Sequence, residues 1–131
     1  MEKLKEKKKK KLESLAIRYK IHDNLVIGKV ARKTLRYIEK NTENFPNQYI
    51  ILKNKIISSC YNILENIYRA NVFQEKNDKK EICVQINMLN FYLEEALRKG
   101  ILTNKKFINY SSHLLELDKM IRSWCKYEKV K

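Results

Sequence analysis

The spacing of apolar residues in the C-terminal third constrains the fold of this 131-residue chain more than any other feature. There the apolar positions advance by alternating steps of three and four, through Phe107, Tyr110, Leu114, Leu117, Ile121 and Trp124. Residues 82–96 repeat the pattern at Ile82, Ile86, Leu89, Leu93 and Ala96. Such steps put apolar side chains on one stripe of an α-helix and are typical of helices that pack at about 20° to each other. The two segments therefore predict two long, packed helices.

Two more helices are predicted upstream. The first covers about residues 23–40, with an apolar stripe at Ile27, Ala31, Leu35 and Ile38. Phe45-Pro46 marks the start of the second, because proline is well placed in a first helical turn. The second helix carries apolar residues on two faces up to Tyr68. It therefore needs two neighbours, either within its own bundle or across a subunit interface, and residues such as Ile57 and Leu64 are expected to be covered.

The connections between these helices are short. Polar residues 41–44 and 74–80 form the first two, and only two glycines and one proline occur in the whole chain. Gly100 follows two cations and suits a left-handed helix end, and Thr103 can cap the last helix. The sequence predicts an all-α, antiparallel up-down-up-down four-helix bundle over residues 21–131. Residues 1–20 form a basic N-terminal arm that is either partly disordered or a helical extension.

The charge balance points to an anionic partner. The chain has 29 Lys plus Arg against 15 Asp plus Glu, a net charge of +14. Residues 1–20 hold nine basic and three acidic residues (+6), so the other 111 residues carry +8. A polyanion such as nucleic acid, an anionic membrane face or an acidic protein is expected to bind.

One predicted face is purely cationic. The cationic stripe comprises Lys29, Arg32, Lys33, Arg36 and Lys40. These residues fall within about 100° of helical arc, opposite the apolar stripe of the first helix, and no acidic residue lies among them. Like charges four residues apart repel on a helix, so the stripe is either an ordinary solvated face or, as we favour, a binding surface for an anion.

Further candidate binding residues lie at the two ends of the chain. The arm contributes Lys7, Lys8, Lys9, Lys10, Lys11 and Arg18. A weaker patch near the C-terminus comprises Lys119, Arg122 and Lys126. Among the aromatic residues Tyr37 is the best candidate for an exposed ring, whereas Tyr49, Tyr110 and Trp124 fall on apolar stripes.

Catalytic chemistry is not expected. Neither His22 nor His113 belongs to the Glu-x-x-His pair that di-metal bundles use, and no Cys-x-x-Cys pair occurs. Cys60 lies on an apolar stripe, which predicts a buried, inert thiol. We expect no cofactor, no metal and no enzymatic activity. The three scattered cysteines fit a reducing cytoplasm, and no apolar run is long enough to span a membrane.

Four features together resemble one known family. They are the four-helix order, Phe45-Pro46, the run Ile67-Tyr-Arg-Ala-Asn71 and the ending Leu117-Asp-Lys-Met-Ile-Arg-Ser-Trp124. The family is the Avd-like four-helix-bundle family, the accessory variability proteins of diversity-generating retroelements. Its relatives are encoded in intervening sequences of bacterial 23S rRNA genes. The similarity covers about residues 22–127.

The resemblance implies a non-catalytic protein that assembles as a homopentameric barrel. Such a protein binds the reverse transcriptase of the retroelement and its template RNA or cDNA, and so supports mutagenic cDNA synthesis. Retroelement members can carry arginines that engage the polymerase at the positions of Asn90 and Glu94.

Two other functions stay open at this point. The chain could be a structural oligomer of the rRNA-intervening type, or the arm could anchor it on an anionic membrane surface. A neighbouring reverse transcriptase gene with a repeat pair would favour the retroelement role. Placement within an rRNA gene would favour the structural oligomer.

Overall fold

The computed structural model describes residues 2–18, 26–73 and 76–128, with side chains for all of these except 12–18, 76 and 126–128. These residues form helices and their connections, without a strand, which confirms the all-α prediction for this part of the chain. The helices are α1 (Glu2–Arg18), α2 (Val26–Thr42), α3 (Ile50–Phe73), α4 (Lys76–Arg98) and α5 (Asn104–Glu128). A 3-10 turn, Asn47–Tyr49, follows Pro46 and leads into α3.

The predicted connection at residues 74–80 is too long. Helix α4 already begins at Lys76, so most of these polar residues are helical. The side chain of Lys79 is buried, and its ammonium lies 4.1 Å from the centroid of the Trp124 ring on α5. A cation over an aromatic face is electrostatically attracted to it, which accounts for a lysine among apolar neighbours. Polarity alone therefore predicted a loop where tertiary contacts extend the helix.

Helices α2 to α5 pack in a closed order. Helix α3 packs against α2 and α4, and α5 packs against α4 and α2. Two hydrogen bonds fix the direction of α3 relative to α2. Tyr61 donates to Glu39 at 2.8 Å, and Arg32 donates to Tyr68 at 3.4 Å. Because the residue numbers rise along α3 as they fall along α2, these two helices are antiparallel.

The core is built from the predicted apolar stripes. All five residues of the 82–96 stripe are buried, as are Tyr110, Leu114, Leu117 and Ile121 on α5. Phe107 and Trp124, at the two ends of the α5 stripe, are partly buried against the same core. On the second face of α3, Leu64 and Tyr68 also pack against the core, whereas Ile50 and Tyr61 are exposed. The second apolar face of α3 therefore has neighbours within one chain over only part of its length.

The predicted helix ends between α4 and α5 are confirmed. Gly100 has a φ of +78°, the left-handed conformation that glycine adopts most easily. The amides of Gly100 and Ile101 donate to the carbonyl oxygens of Leu97 and Ala96, which is the Schellman arrangement. Three residues further on, Thr103 Oγ1 accepts a 3.2 Å hydrogen bond from the amide of Lys106 and caps α5.

None of the helices in the described part of the chain combines the length and the hydropathy that crossing a lipid bilayer requires.

Replacing Thr103 by alanine is expected to lower the free energy of unfolding by about 1 kcal/mol, because the first turn of α5 loses its side-chain acceptor. Thr103 is exposed, so the substitution opens no cavity. Urea denaturation followed by circular dichroism measures the change. Thr103→Ser keeps the acceptor and should retain wild-type stability; equal losses in both variants would contradict the capping role.

Candidate nucleic-acid interface

The cationic stripe lies on the face of α2 that points away from the core. Ala31, Leu35 and Ile38 are buried on the opposite face of this helix. Lys29, Lys33, Arg36 and Lys40 are exposed, and Arg32 is half-buried. The placement follows from the helical period, because residues seven and eleven positions apart return to nearly the same face.

All five stripe residues line one open groove between α2 and α5, with a volume of about 970 Å³. Helix α2 also contributes Val30, Thr34 and Tyr37, and helix α5 contributes Asn109 and His113. No acidic residue occurs among the described residues that line this groove. The α2 side of the groove therefore carries the positive charge, and the α5 side presents an amide and an imidazole.

The other edge of the stripe faces α3 and has a different character. Arg32 and Arg36 also line a smaller groove, of about 290 Å³, which contains Glu39 and Tyr61. Glu39 accepts the hydrogen bond from Tyr61, and this bond raises the pKa of the tyrosine. One carboxylate therefore lies near the stripe, but on the α3 side. Lys29, Lys33, Arg36 and Lys40 form no ion pair with any residue that the structure describes.

Tyr37 presents an aromatic ring to the α2–α5 groove. Its side chain is 43% exposed, as the sequence led us to expect. The ring packs against that of Tyr110 with centroids 5.4 Å apart and planes at 84°, an edge-to-face contact. Tyr110 is only 1% exposed, and burial raises its pKa to about 12. A buried tyrosine on α5 thus supports an exposed one on α2.

The structure does not unite the remaining candidate residues with this groove. Lys7, Lys8, Lys9, Lys10 and Lys11 are exposed along α1, and the side chain of Arg18 lies outside the described residues. In the C-terminal patch Lys119 is exposed, and the side chain of Lys126 is likewise outside the described part. Arg122 Nε donates to Asp118 Oδ2 at 2.7 Å, and this ion pair raises the pKa of the arginine. The charge of Arg122 is therefore already partnered within α5.

Two groove residues were missed by sequence reasoning. Asn109 and His113 are four positions apart on α5 and flank the buried Tyr110. Their position beside the apolar stripe indicates a helix edge, but the sequence does not specify which helix that edge contacts.

On α4, the side chain of Asn90 accepts a 2.6 Å hydrogen bond from the hydroxyl of Ser111 and thus links α4 to α5.

Two of the three cysteines, Cys60 and Cys83, are poor nucleophiles. Cys60 is buried, and desolvation together with the nearby Glu39 charge raises its pKa to about 12. Burial, with a contribution from Asp118, raises the pKa of Cys83 to about 11. Both side chains are neutral thiols at pH 7, and the thiolate is the reactive form. The described residues also contain no cluster of three or more His, Cys, Asp or Glu side chains that could hold a metal ion.

The chain has no significant match among known protein families, characterised proteins or solved structures. Membership of the Avd-like family therefore stays a prediction from the helix order and the short motifs of the sequence.

The raised pKa of Cys60 predicts how stability depends on pH. The ordinary pKa of the thiol is 9.0 and the folded value is about 12. Above pH 9 the unfolded chain releases this proton while the folded chain retains it. The free energy of unfolding therefore falls as the pH rises, by up to about 1.4 kcal/mol per pH unit for each such proton.

The matched comparison is Cys60→Ala, which lacks this thiol. Between pH 9 and 11 its free energy of unfolding should fall less steeply than that of the wild type, and the slopes should differ by up to about 1.4 kcal/mol per pH unit, the value for one proton. Urea denaturation at a series of pH values measures both slopes. At pH 7–8 the two slopes should be equal, because the thiol of the wild type is protonated in both the folded and the unfolded chain. Parallel curves above pH 9 would show that Cys60 ionises equally in the folded and unfolded chain.

Proposed function

We propose that this protein binds nucleic acid through the α2–α5 groove and has no catalytic role. The observation that supports it is the row of five cations on one side of the groove, with no carboxylate among the described lining residues. Repulsion along such a row is relieved when phosphates approach. Lysines and arginines then displace the counterions condensed on the nucleic acid, and this release of counterions provides affinity without reading the base sequence.

The length of the stripe matches a short run of phosphates along one strand. From Lys29 to Lys40 the helix rises by roughly 16 Å. A stacked strand presents one phosphate per about 3.4 Å, so about five phosphates match this length. The lysines of α1 add a second, sequence-independent source of positive charge.

The fold we propose is the antiparallel up-down-up-down four-helix bundle, formed by α2 to α5. The closed packing order and the antiparallel pairing of α2 with α3 support it. Short connections between sequential packed helices favour the same topology.

The cellular role we propose is that of an accessory protein of a diversity-generating retroelement, acting in the cytoplasm. It would hold the template RNA or cDNA and bind the reverse transcriptase during mutagenic cDNA synthesis. The support is the order of the sequence motifs together with the cationic groove. A reverse transcriptase gene beside the gene of this protein is the observation that this role requires.

We also propose that the protein forms a homo-oligomer, a pentamer by the same resemblance. Three large apolar side chains, Val84, Met88 and Phe91, are exposed at i, i+4 and i+7 on α4. This spacing aligns them on one helical face, and a contiguous exposed apolar face is typical of an interaction surface.

Removal of three groove cations tests the binding function. The triple variant Lys33→Gln, Arg36→Gln, Lys40→Gln should bind a labelled single-stranded oligonucleotide more weakly than the wild type. The slope of log K against log salt should also become shallower by about 2, because each lost phosphate contact accounts for roughly 0.7. Fluorescence anisotropy over a series of KCl concentrations measures both quantities.

The control for that variant removes the same charge elsewhere, with Lys55→Gln, Lys80→Gln and Lys99→Gln. All three lysines are exposed and lie outside the groove. This protein should keep a slope close to that of the wild type. Equal losses in the two triple variants would mean that net charge, and not the groove, determines binding; a flat salt dependence of the wild type would refute the function itself.

The oligomer proposal predicts that Phe91→Lys dissociates the assembly, because it places a charge on the apolar face of α4. Sedimentation velocity at micromolar concentration should give an oligomer for the wild type and a monomer for this variant. Ile51→Lys on α3 alters an exposed apolar residue that lies on neither apolar face of that helix, and it should leave the assembly intact. A wild-type protein that is monomeric at this concentration would contradict the proposed oligomer.

A further inference from the structure

Tyr37 is placed to contact whatever enters the α2–α5 groove. It lies on α2 between Lys33 and Lys40, which line the groove with it. Nearly half of its side chain is exposed, although an aromatic ring of this size gains from burial. The ring therefore offers a stacking surface directly beside the phosphate-binding cations.

The contact with Tyr110 leaves a face of this ring unused by that neighbour. In an edge-to-face pair, one ring presents its edge to the face of the other. If Tyr37 supplies the edge, Tyr110 covers neither of its faces; if Tyr37 supplies a face, the opposite face stays uncovered by Tyr110. At 5.4 Å and 84° the pair holds the exposed ring against a core residue. A ring held in this way loses little conformational freedom when a ligand stacks on it.

The distribution of charge orients a bound strand. The cations lie on the α2 side only, so the phosphates of a strand follow α2. Its bases then point across the groove, toward Tyr37 and the α5 side. There Asn109 and His113 offer hydrogen-bonding groups that suit the polar edge of a base.

We propose that the groove is specific for single-stranded nucleic acid and that one base stacks on the ring of Tyr37. This inference rests on the proposed nucleic-acid-binding function and names its substrate class. In a duplex each base is already stacked and paired, so a groove ring reaches only the backbone. In a single strand an unstacked base can leave its neighbours and pack on an aromatic side chain.

The test compares Tyr37→Leu with Tyr37→Phe. Leucine keeps an apolar side chain against Tyr110 but removes the flat ring, and phenylalanine keeps the ring but removes the hydroxyl. Tyr37→Leu should weaken binding of a single-stranded oligonucleotide roughly tenfold. Its binding to a duplex of the same length and its salt slope should stay those of the wild type. Tyr37→Phe should bind both ligands as the wild type does.

A second measurement changes the ligand, so that its main comparison needs only the wild-type protein. The wild-type protein should bind an intact single strand more tightly than an abasic strand of equal length and charge, because the abasic strand has nothing to stack. Tyr37→Leu should bind these two strands with nearly equal affinity. The difference between strands thus isolates the base from the phosphates, even if the substitution disturbs folding.

The outcomes separate this inference from the function on which it rests. If the wild type shows steep salt dependence but binds intact and abasic strands equally, the stacking inference fails and the binding function stands. The same holds if Tyr37→Leu weakens single-strand and duplex binding alike, or if Tyr37→Phe loses as much as Tyr37→Leu. If the wild type shows no salt-dependent binding, both proposals fail together.

Discussion

The burial of one face of α2 determines where the cationic stripe lies. Ala31, Leu35 and Ile38 are enclosed by the core, and the helical period then directs the opposite face to solvent. No cation of the stripe can turn inward without exposing these apolar side chains to water. The same packing that stabilises the helices thus fixes the face on which these cations lie, whichever rotamers their side chains adopt.

The two edges of α2 turn this exposed face into a directional surface. On the α3 edge, Arg32 donates to Tyr68, and Glu39 lies close enough to accept a hydrogen bond from Tyr61. On the α5 edge, the neighbouring side chains in the groove are Asn109 and His113. An anion approaching α2 therefore meets a carboxylate on one side and none among the described residues on the other. Packing against two different helices, and not the composition of α2 itself, produces this asymmetry.

The regular features of the fold were predictable because local sequence encodes them. Alternating steps of three and four identified the buried faces of α4 and α5, and Gly100 and Thr103 marked the ends between them. The start of α4 was predicted wrongly because a polar run indicates a loop unless its tertiary partners are known. Lys79 illustrates the reason, since only the folded chain brings the Trp124 ring of α5 against its ammonium group.

The candidate site was predictable on α2 but not across the groove. The cationic stripe follows from the sequence of one helix, whereas its opposite side depends on which helix packs beside it. Asn109 and His113 carry no sequence signal that pairs them with α2. Likewise, the competition of Asp118 for Arg122 becomes clear only when the 2.7 Å contact is seen. The pattern within one helix thus predicts the charged side of the site, whereas the neutral side becomes known only from the tertiary structure.

The binding mode that we propose for the groove combines two interactions that act over different distances. Attraction between the stripe and phosphates extends over about a Debye length, near 10 Å at moderate salt, and weakens as salt rises. Stacking on Tyr37 acts only in contact and requires an unpaired base. In the proposed binding mode the first interaction brings any nucleic acid to α2, and the second discriminates between strand states only after contact. Because the two depend on different residues and respond differently to salt, the affinity of the groove and its preference for strand state can vary independently.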